Sequence, residues 1–328
     1  MAKLDTTYLG LQLKNPIVAA SSGLTDNIKS IKELAVNGAA AVILKSIFEE
    51  EITLEYESLL NEAEQLGYHD ENMDYFDYQI RDKNLNRYLD LIKDAKEAVD
   101  IPIIPSINCH TSHEWTYFAK KFEEAGADAI ELNLFLSPSK SAIEAADIEE
   151  RYFSIIKNIL HECSIPISLK ISPYFTNLGH MIRKFDESGI SGIVMFNRFF
   201  SPDIDIEKLE ISSSFTFSTP TEVALSMRWI ATMARRVNCD LAATTGIHDG
   251  EAIVKQLLAG ANVVQLASCL YQNGSEHIPI LIDFLNNWMD QKGFNNLNHF
   301  RGLLSQVASS NSAMYDRVQF MKYFSGKF

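Results

Sequence analysis

The chain has 328 residues, 46% hydrophobic and 22% charged, a balance that buries a large core and excludes a disordered chain. A formal net charge of −14 and a pI near 5.0 exclude nucleic-acid binding, because phosphate affinity rests on clustered Lys and Arg and no such cluster is present. No apolar run approaches the roughly 18–20 residues of a membrane span and the opening MAKLDTTYLG lacks a signal-peptide core, so a cytoplasmic protein with small-molecule or protein partners is expected.

In chain order, the first apolar run is NPIVAASS (15–22), which closes on Ser21, Ser22 and Gly23. Ile28, Ile31, Leu34 and Ala35 then recur at the spacing of a helix with one face on a core. NGAAAVILKS (37–46) ends that helix at a glycine and starts a second run, closing on Lys45 and Ser46. Residues 47–100 are too many for a bare loop; an acidic stretch from Glu49 to Asp77 precedes a helix expected from about Asn84 to Val99. IPIIPSIN (101–108) closes on Asn108, and Trp115, Phe118, Ala119 and Phe122 mark the next helix. AGADAIELNL (125–134) carries Asn133. IPISLKIS (165–172) carries Lys170 and leads to the stripe Leu178, Met181, Ile182 and Phe185.

SGISGIVMFN (188–197) closes on Asn197, with Arg198 directly behind it. Over 198–219 the alternation in RFFSPDIDIEKLEISSSFTFS predicts a hairpin. Thr219-Pro220-Thr221-Glu222 is a capping box with Pro at the first helical position, opening a helix expected to reach about Val237. CDLAATTG (239–246) closes on Thr244, Thr245 and Gly246, followed by the stripe Ile253, Val254, Leu257 and Leu258. AGANVVQLAS (259–268) closes on Ala267 and Ser268.

Eight apolar runs alternating with helices over this length predict α/β architecture, a single (β/α)8 TIM barrel over residues 1–328 with insertions at about 47–100 and 198–219. A doubly wound open sheet is the alternative topology. The four cysteines, Cys109, Cys163, Cys239 and Cys269, lack CxxC spacing, which argues against a disulfide framework, a zinc site or an iron–sulfur cluster.

Each run releases polar residues at the same end. Two lysines, three carboxamides and several hydroxyls on one opening suit a planar, heteroatom-rich ligand with an anionic group, and small residues at 245–246 and 267–268 let backbone N–H groups approach a phosphate. Lys45 and Lys170 have a plainer reading as lysines that reach water from an apolar run, and the asparagines as turn residues. Repetition at the same end of nearly every strand favours the site.

With these residues assembled, the chain resembles the dihydroorotate dehydrogenase family, in its soluble class 1 branch, through NPIVAASSG, the LKS of Lys45 and Ser46, ELN ending at Asn133, LKISPYF from Lys170, FN ending at Asn197, TTGI and GANVVQLAS. The resemblance implies an FMN-binding barrel and oxidation of dihydroorotate to orotate in pyrimidine biosynthesis. It implies that Ser22, Gly23, Lys45, Ser46, Asn108, Asn133 and Lys170 hold the flavin, with Thr245, Gly246, Ala267 and Ser268 at its phosphate. Lys170 would face the pyrimidine end of the ring system, while Asn133, Asn197 and Arg198 would face the substrate. Lys45 and Ser137 are the candidate catalytic groups. A homodimer and a redox partner protein also follow as expectations.

Three departures stand out. The family's Cys or Ser base falls at Leu136, which cannot take a proton; Ser137 is the next candidate, with an ordinary Ser-Pro-Ser turn as its other reading. The family's substrate loop after the second strand is replaced by GYHDENMDYFDYQ, whose Asp70, Glu71, Asp74 and Asp77 read as a solvated face or as a repulsive cover for a carboxylate. Arg198 stands where a small residue is usual and pairs either with a substrate carboxylate or with Asp203 or Asp205. Cys109, beside His110, is a further candidate base or a small buried residue. Three other functions compete: the same flavin barrel with another substrate, an electron-transfer partner subunit without the base, and a phosphosugar lyase or isomerase.

Overall fold

Glycine-terminated helices feeding short β-branched runs leave the backbone few choices, and the runs fold as strands. The computed structural model describes residues 2–48, 73–108, 112–136, 143–199, 202–212 and 216–308, with side chains from Asn84 and Trp115 onward in the helices that open at Met73 and Ser112. Ser137, Cys109, His110 and the acidic group at Asp70, Glu71, Asp74 and Asp77 lie outside the described residues or side chains.

The chain opens with an antiparallel hairpin, β1 (Thr6–Tyr8) and β2 (Leu11–Leu13). Then come β3 (Ile17–Ala19), α1 (Ile28–Val36), β4 (Ala41–Ile43), β5 (Ile47–Phe48), α2 (Met73–Ala98), β6 (Ile103–Ile104), β7 (Ser106–Asn108), α3 (Ser112–Glu124) and β8 (Ile130–Asn133). The second half runs α4 (Ala145–Glu162), β9 (Ile167–Ile171), α5 (Leu178–Glu187), β10 (Gly192–Met195), the hairpin β11 (Asp203–Asp205) and β12 (Glu210–Ser212), and α6 (Val223–Met233). It finishes with β13 (Asp240–Thr244), α7 (Gly250–Ala259), β14 (Val263–Leu266), α8 (Ser268–Asn273) and α9 (His277–Lys292).

The parallel ladder closes on itself. β14 pairs with β3, β3 with β4, β4 with β6, β5 with β7, and the chain of pairs continues through β8, β9, β10 and β13 back to β14. Because β4 and β5 are two pieces of one strand, and β6 and β7 two pieces of the next, ten short strands make eight barrel staves. Pro105 separates β6 from β7, and it has no N–H to give the ladder.

Burial follows the two periodicities. Trp115, Phe118, Ala119 and Phe122 on α3, and Leu178, Met181, Ile182 and Phe185 on α5, are buried in the layer between helices and strands. Inside the barrel a second cluster joins Val18, Ile43, Val194, Ala242 and Val263 to Tyr8, Leu9 and Leu13 of the opening hairpin. That hairpin stoppers the N-terminal end: Leu9 N–H donates to Asp240 Oδ2 at 2.7 Å, and a Cβ on Gly192 would come within 2.6 Å of Leu9 Cδ2.

Two helix boundaries differ from expectation. α6 stops at Met233 and not near Val237, because Ala234 leaves helical geometry and Arg235 turns left-handed at φ 66. α2 begins at Met73, before the expected Asn84. The 198–219 hairpin forms as expected, whereas the N-terminal hairpin and α4 carry no signal picked out above.

Candidate active site

A cavity of about 330 Å³ opens at the C-terminal ends of the strands. Its floor is built by register. Asn133 on β8 is paired with Lys170 on β9, and Asn197, just past β10, donates its backbone N–H to Ile171 O at 2.8 Å. The three polar tips therefore stand side by side on consecutive staves. Asn197 Nδ2 donates to Asn133 Oδ1 at 2.6 Å, spanning the strand that carries Lys170. Lys170 is 11% exposed and its Nζ lies 3.6 Å from Glu131 Oε1.

One wall comes from the first two staves. Ser22 caps a short helical turn at Gly23–Thr25, taking the Leu24 N–H on its Oγ at 3.3 Å. Ser21, Ser46 and Ser106 form a run of hydroxyls, with Oγ to Oγ separations of 3.1 and 2.8 Å. Lys45 stands beside them on the lining.

The opposite end has the features of an anion cradle. Thr245 and Gly246 both have left-handed backbone, at φ 73 and 76. A Cβ at Gly246 would sit 2.1 Å from the Val223 nitrogen at the start of α6, so the turn is packed against a helix N-terminus. Gly246 N–H donates to Ser218 Oγ at 3.3 Å, Ser218 N–H donates to Ser268 Oγ at 3.0 Å, and Ser218 Oγ lies 3.1 Å from His248 Nε2. Ala267 completes this end beside Ser268.

Twelve of the sequence-predicted residues line this one cavity: Ser22, Gly23, Lys45, Ser46, Asn133, Lys170, Asn197, Arg198, Thr245, Gly246, Ala267 and Ser268. Asn108 does not; it ends β7 opposite Phe48 and is absent from the described lining. Ser137 is outside the described residues. Leu136, the preceding residue, packs against the helix-side core, and its N–H points to Tyr152 Oη at 3.3 Å. Among the described lining residues there is no carboxylate, histidine or cysteine.

Arg198 is held by the loop leading into α6. Its Nε donates to Glu222 Oε1 at 3.0 Å, and its two terminal nitrogens donate to the Thr216 and Phe217 carbonyls, each at 3.0 Å. The sequence reading offers Asp203 and Asp205 as acidic neighbours; the carboxylate on Nε is that of Glu222. Burial pushes the Glu222 carboxyl up, but the Thr219 N–H and the Arg198 guanidinium outweigh it and hold the group below its ordinary value. Ser218, Gln265, Phe48 and Phe196 also line the cavity and are missing from the sequence-based set of candidates. For Ser218 the available signal was the capping box that begins one residue later.

A family model described as dihydroorotate dehydrogenase matches residues 3–289. The chain belongs to the dihydroorotate dehydrogenase family. The catalytic subunit of dihydroorotate dehydrogenase B (NAD(+)) from Thermoplasma volcanium is 26% identical over 313 residues, covering 92% of this chain and 99% of the relative. The corresponding Thermoplasma acidophilum subunit is 25% identical over the same shares, and that of Pyrococcus abyssi 23% identical over 93% of this chain and all of its own length. As a dihydroorotate dehydrogenase-like protein, the chain is an oxidoreductase of the kind that acts on a CH–CH donor.

Proposed function

We propose that this protein is an FMN-dependent catalytic subunit that oxidises dihydroorotate to orotate in pyrimidine biosynthesis. The observation that carries the reading is the convergence of Asn133, Lys170 and Asn197 at one end of a single cavity with the Gly246, Ser218 and Ser268 cradle at the other. That spacing of groups fits FMN, a planar ring with a phosphate tail. At the tail, Gly246 has no room for a side chain, and N–H groups from Thr245, Gly246, Ala267 and Ser268 would meet the phosphate. When bound, FMN would supply the two-electron acceptor for a hydride from a substrate C–H bond, while the neighbouring carbon loses a proton and the C–C single bond becomes double.

The chain's own groups do the rest. Lys170 places a positive charge where the ring gains negative charge on reduction, and Lys45 adds a second at the wall, with Ser22, Gly23 and Ser46 around it. Asn133 and Asn197 present carboxamides to the substrate, and their mutual hydrogen bond fixes which atoms each turns to it. Arg198, already oriented by Glu222, faces the substrate carboxylate. Ser137 takes the proton: Leu136 is apolar and turned to the core, and the next residue in the sequence is a serine.

Relatives named as catalytic subunits support a partner protein that accepts the electrons. No helix among the described residues is long and apolar enough to cross a membrane, and we place the reaction in the cytoplasm. The test is an anaerobic titration of the purified protein with dihydroorotate. A yellow protein that bleaches establishes the activity; a colourless protein that refuses FMN sinks the reading, and a yellow one that does not bleach removes dihydroorotate as substrate. Ser137→Ala is expected to slow bleaching at least about 100-fold, and an unchanged rate would take Ser137 out of the mechanism.

A further inference from the structure

Below the cavity floor lies a carboxylate that no step above uses. Glu131 precedes Asn133 by two residues on β8, so both side chains face the barrel interior, and Glu131 is 0% exposed. Its Oε2 accepts a hydrogen bond from Gln265 Nε2 at 2.7 Å, across the barrel on β14. Its Oε1 has no hydrogen-bond partner among the described residues and stands 3.6 Å from Lys170 Nζ. The nearby Ser168 hydroxyl donates instead to Ile130 O at 3.3 Å.

A carboxylate at this depth is costly unless a cation answers it. Here that cation is Lys170, whose other side is the cavity. At 3.6 Å the contact is longer than a strong charge-assisted hydrogen bond, so the attraction is mainly between the charges. The negative charge is felt around it: burial, and then the Glu131 carboxylate, push the Tyr8 phenol well above its ordinary value.

We propose that Glu131 is a positioning residue, a fixed counter-charge oriented by Gln265, which holds the Lys170 ammonium on the cavity floor between Asn133 and Asn197 and limits how much of its positive charge reaches a bound ligand. The part that concerns the ligand rests on the FMN reading above. The pairing itself does not.

Two measurements test it on wild-type protein, Lys170→Met, Glu131→Gln and the double variant. Thermal unfolding needs no cofactor. Lys170→Met strands the buried carboxylate and is expected to lower the midpoint by roughly 5–10 °C, and adding Glu131→Gln recovers at least half of that loss. A double variant no more stable than Lys170→Met overturns the proposal. Should Lys170→Met be insoluble, a soluble double variant supports the pairing and an insoluble one overturns it.

The second measurement is the reduction potential of bound FMN. Glu131→Gln keeps the shape and the reach to Gln265 but removes the charge, so reduced FMN gains about tenfold in affinity over oxidised FMN, an upward shift of about 30 mV for the two-electron couple. Glu131→Asp, which keeps the charge, returns the potential most of the way. A scaffolding role would change both affinities alike, so an unmoved or lowered potential overturns the proposal. Coupled stabilities in a protein that binds no FMN would instead sink the FMN reading and leave the Glu131 and Lys170 pairing standing.

Discussion

Single side chains at the strand ends divide into those whose role depends on backbone and those that depend on charge. Gly246 belongs to the first group: its left-handed φ of 76 and a Cβ position 2.1 Å from Val223 N leave no room for alanine. Gly246→Ala is expected to cost at least about 2 kcal/mol, read by denaturant unfolding, and to weaken FMN binding in a fluorescence titration. Cys163 and Cys269 are buried. Burial pushes the Cys163 thiol up to about 11 and the Cys269 thiol up to about 12, so both stay protonated at pH 8. Iodoacetamide at that pH should leave both unmodified in the native protein by mass spectrometry, and rapid alkylation of either would show its surroundings to be looser. Asn133, Lys170 and Asn197 were legible because each closes an apolar run. Asn108 also closes one, yet it is absent from the described lining, and that is a matter of its place in the ladder opposite Phe48 that the residue type alone does not reveal.

At the scale of elements, the segment that leads into α6 ties the cavity to a helix. Arg198 fastens it through the Thr216 and Phe217 carbonyls and Glu222, while Glu222 closes the capping box on Thr219. Because the folded Glu222 carboxyl is held below its ordinary value of 4.5, its stabilising contribution is complete above that pH and fades as pH falls through the lower folded value. Proteolysis within 216–222 should therefore quicken below about pH 4.5 in wild type, and Arg198→Gln should bring that cleavage rate on at neutral pH. Equal cleavage of both proteins at neutral pH would show that the clasp does not hold the segment. The capping box told where this helix starts. Its end was misread, since Ala234 leaves helical geometry and Arg235 turns left-handed with no glycine or proline there to mark the stop.

Across the whole molecule, stability and site share one closed ladder. The β1 and β2 hairpin fills the bottom of the barrel with Tyr8, Leu9 and Leu13, far in sequence from the strands it packs on. Leu9→Ala removes a side chain that is 1% exposed and should destabilise the protein by about 2–5 kcal/mol, measured by chemical unfolding. A loss under about 0.5 kcal/mol would mean the stopper is not part of the cooperative core. The sequence by itself determined the eight barrel staves, the helical faces and which end of each stave carries polar groups, because those are local consequences of side-chain periodicity and of glycine at helix ends. Only the tertiary structure decided that Glu131 answers Lys170, that Arg198 turns to Glu222 and that Ser218 joins Gly246, since each contact joins residues on different elements and depends on register and closure, which no local pattern encodes.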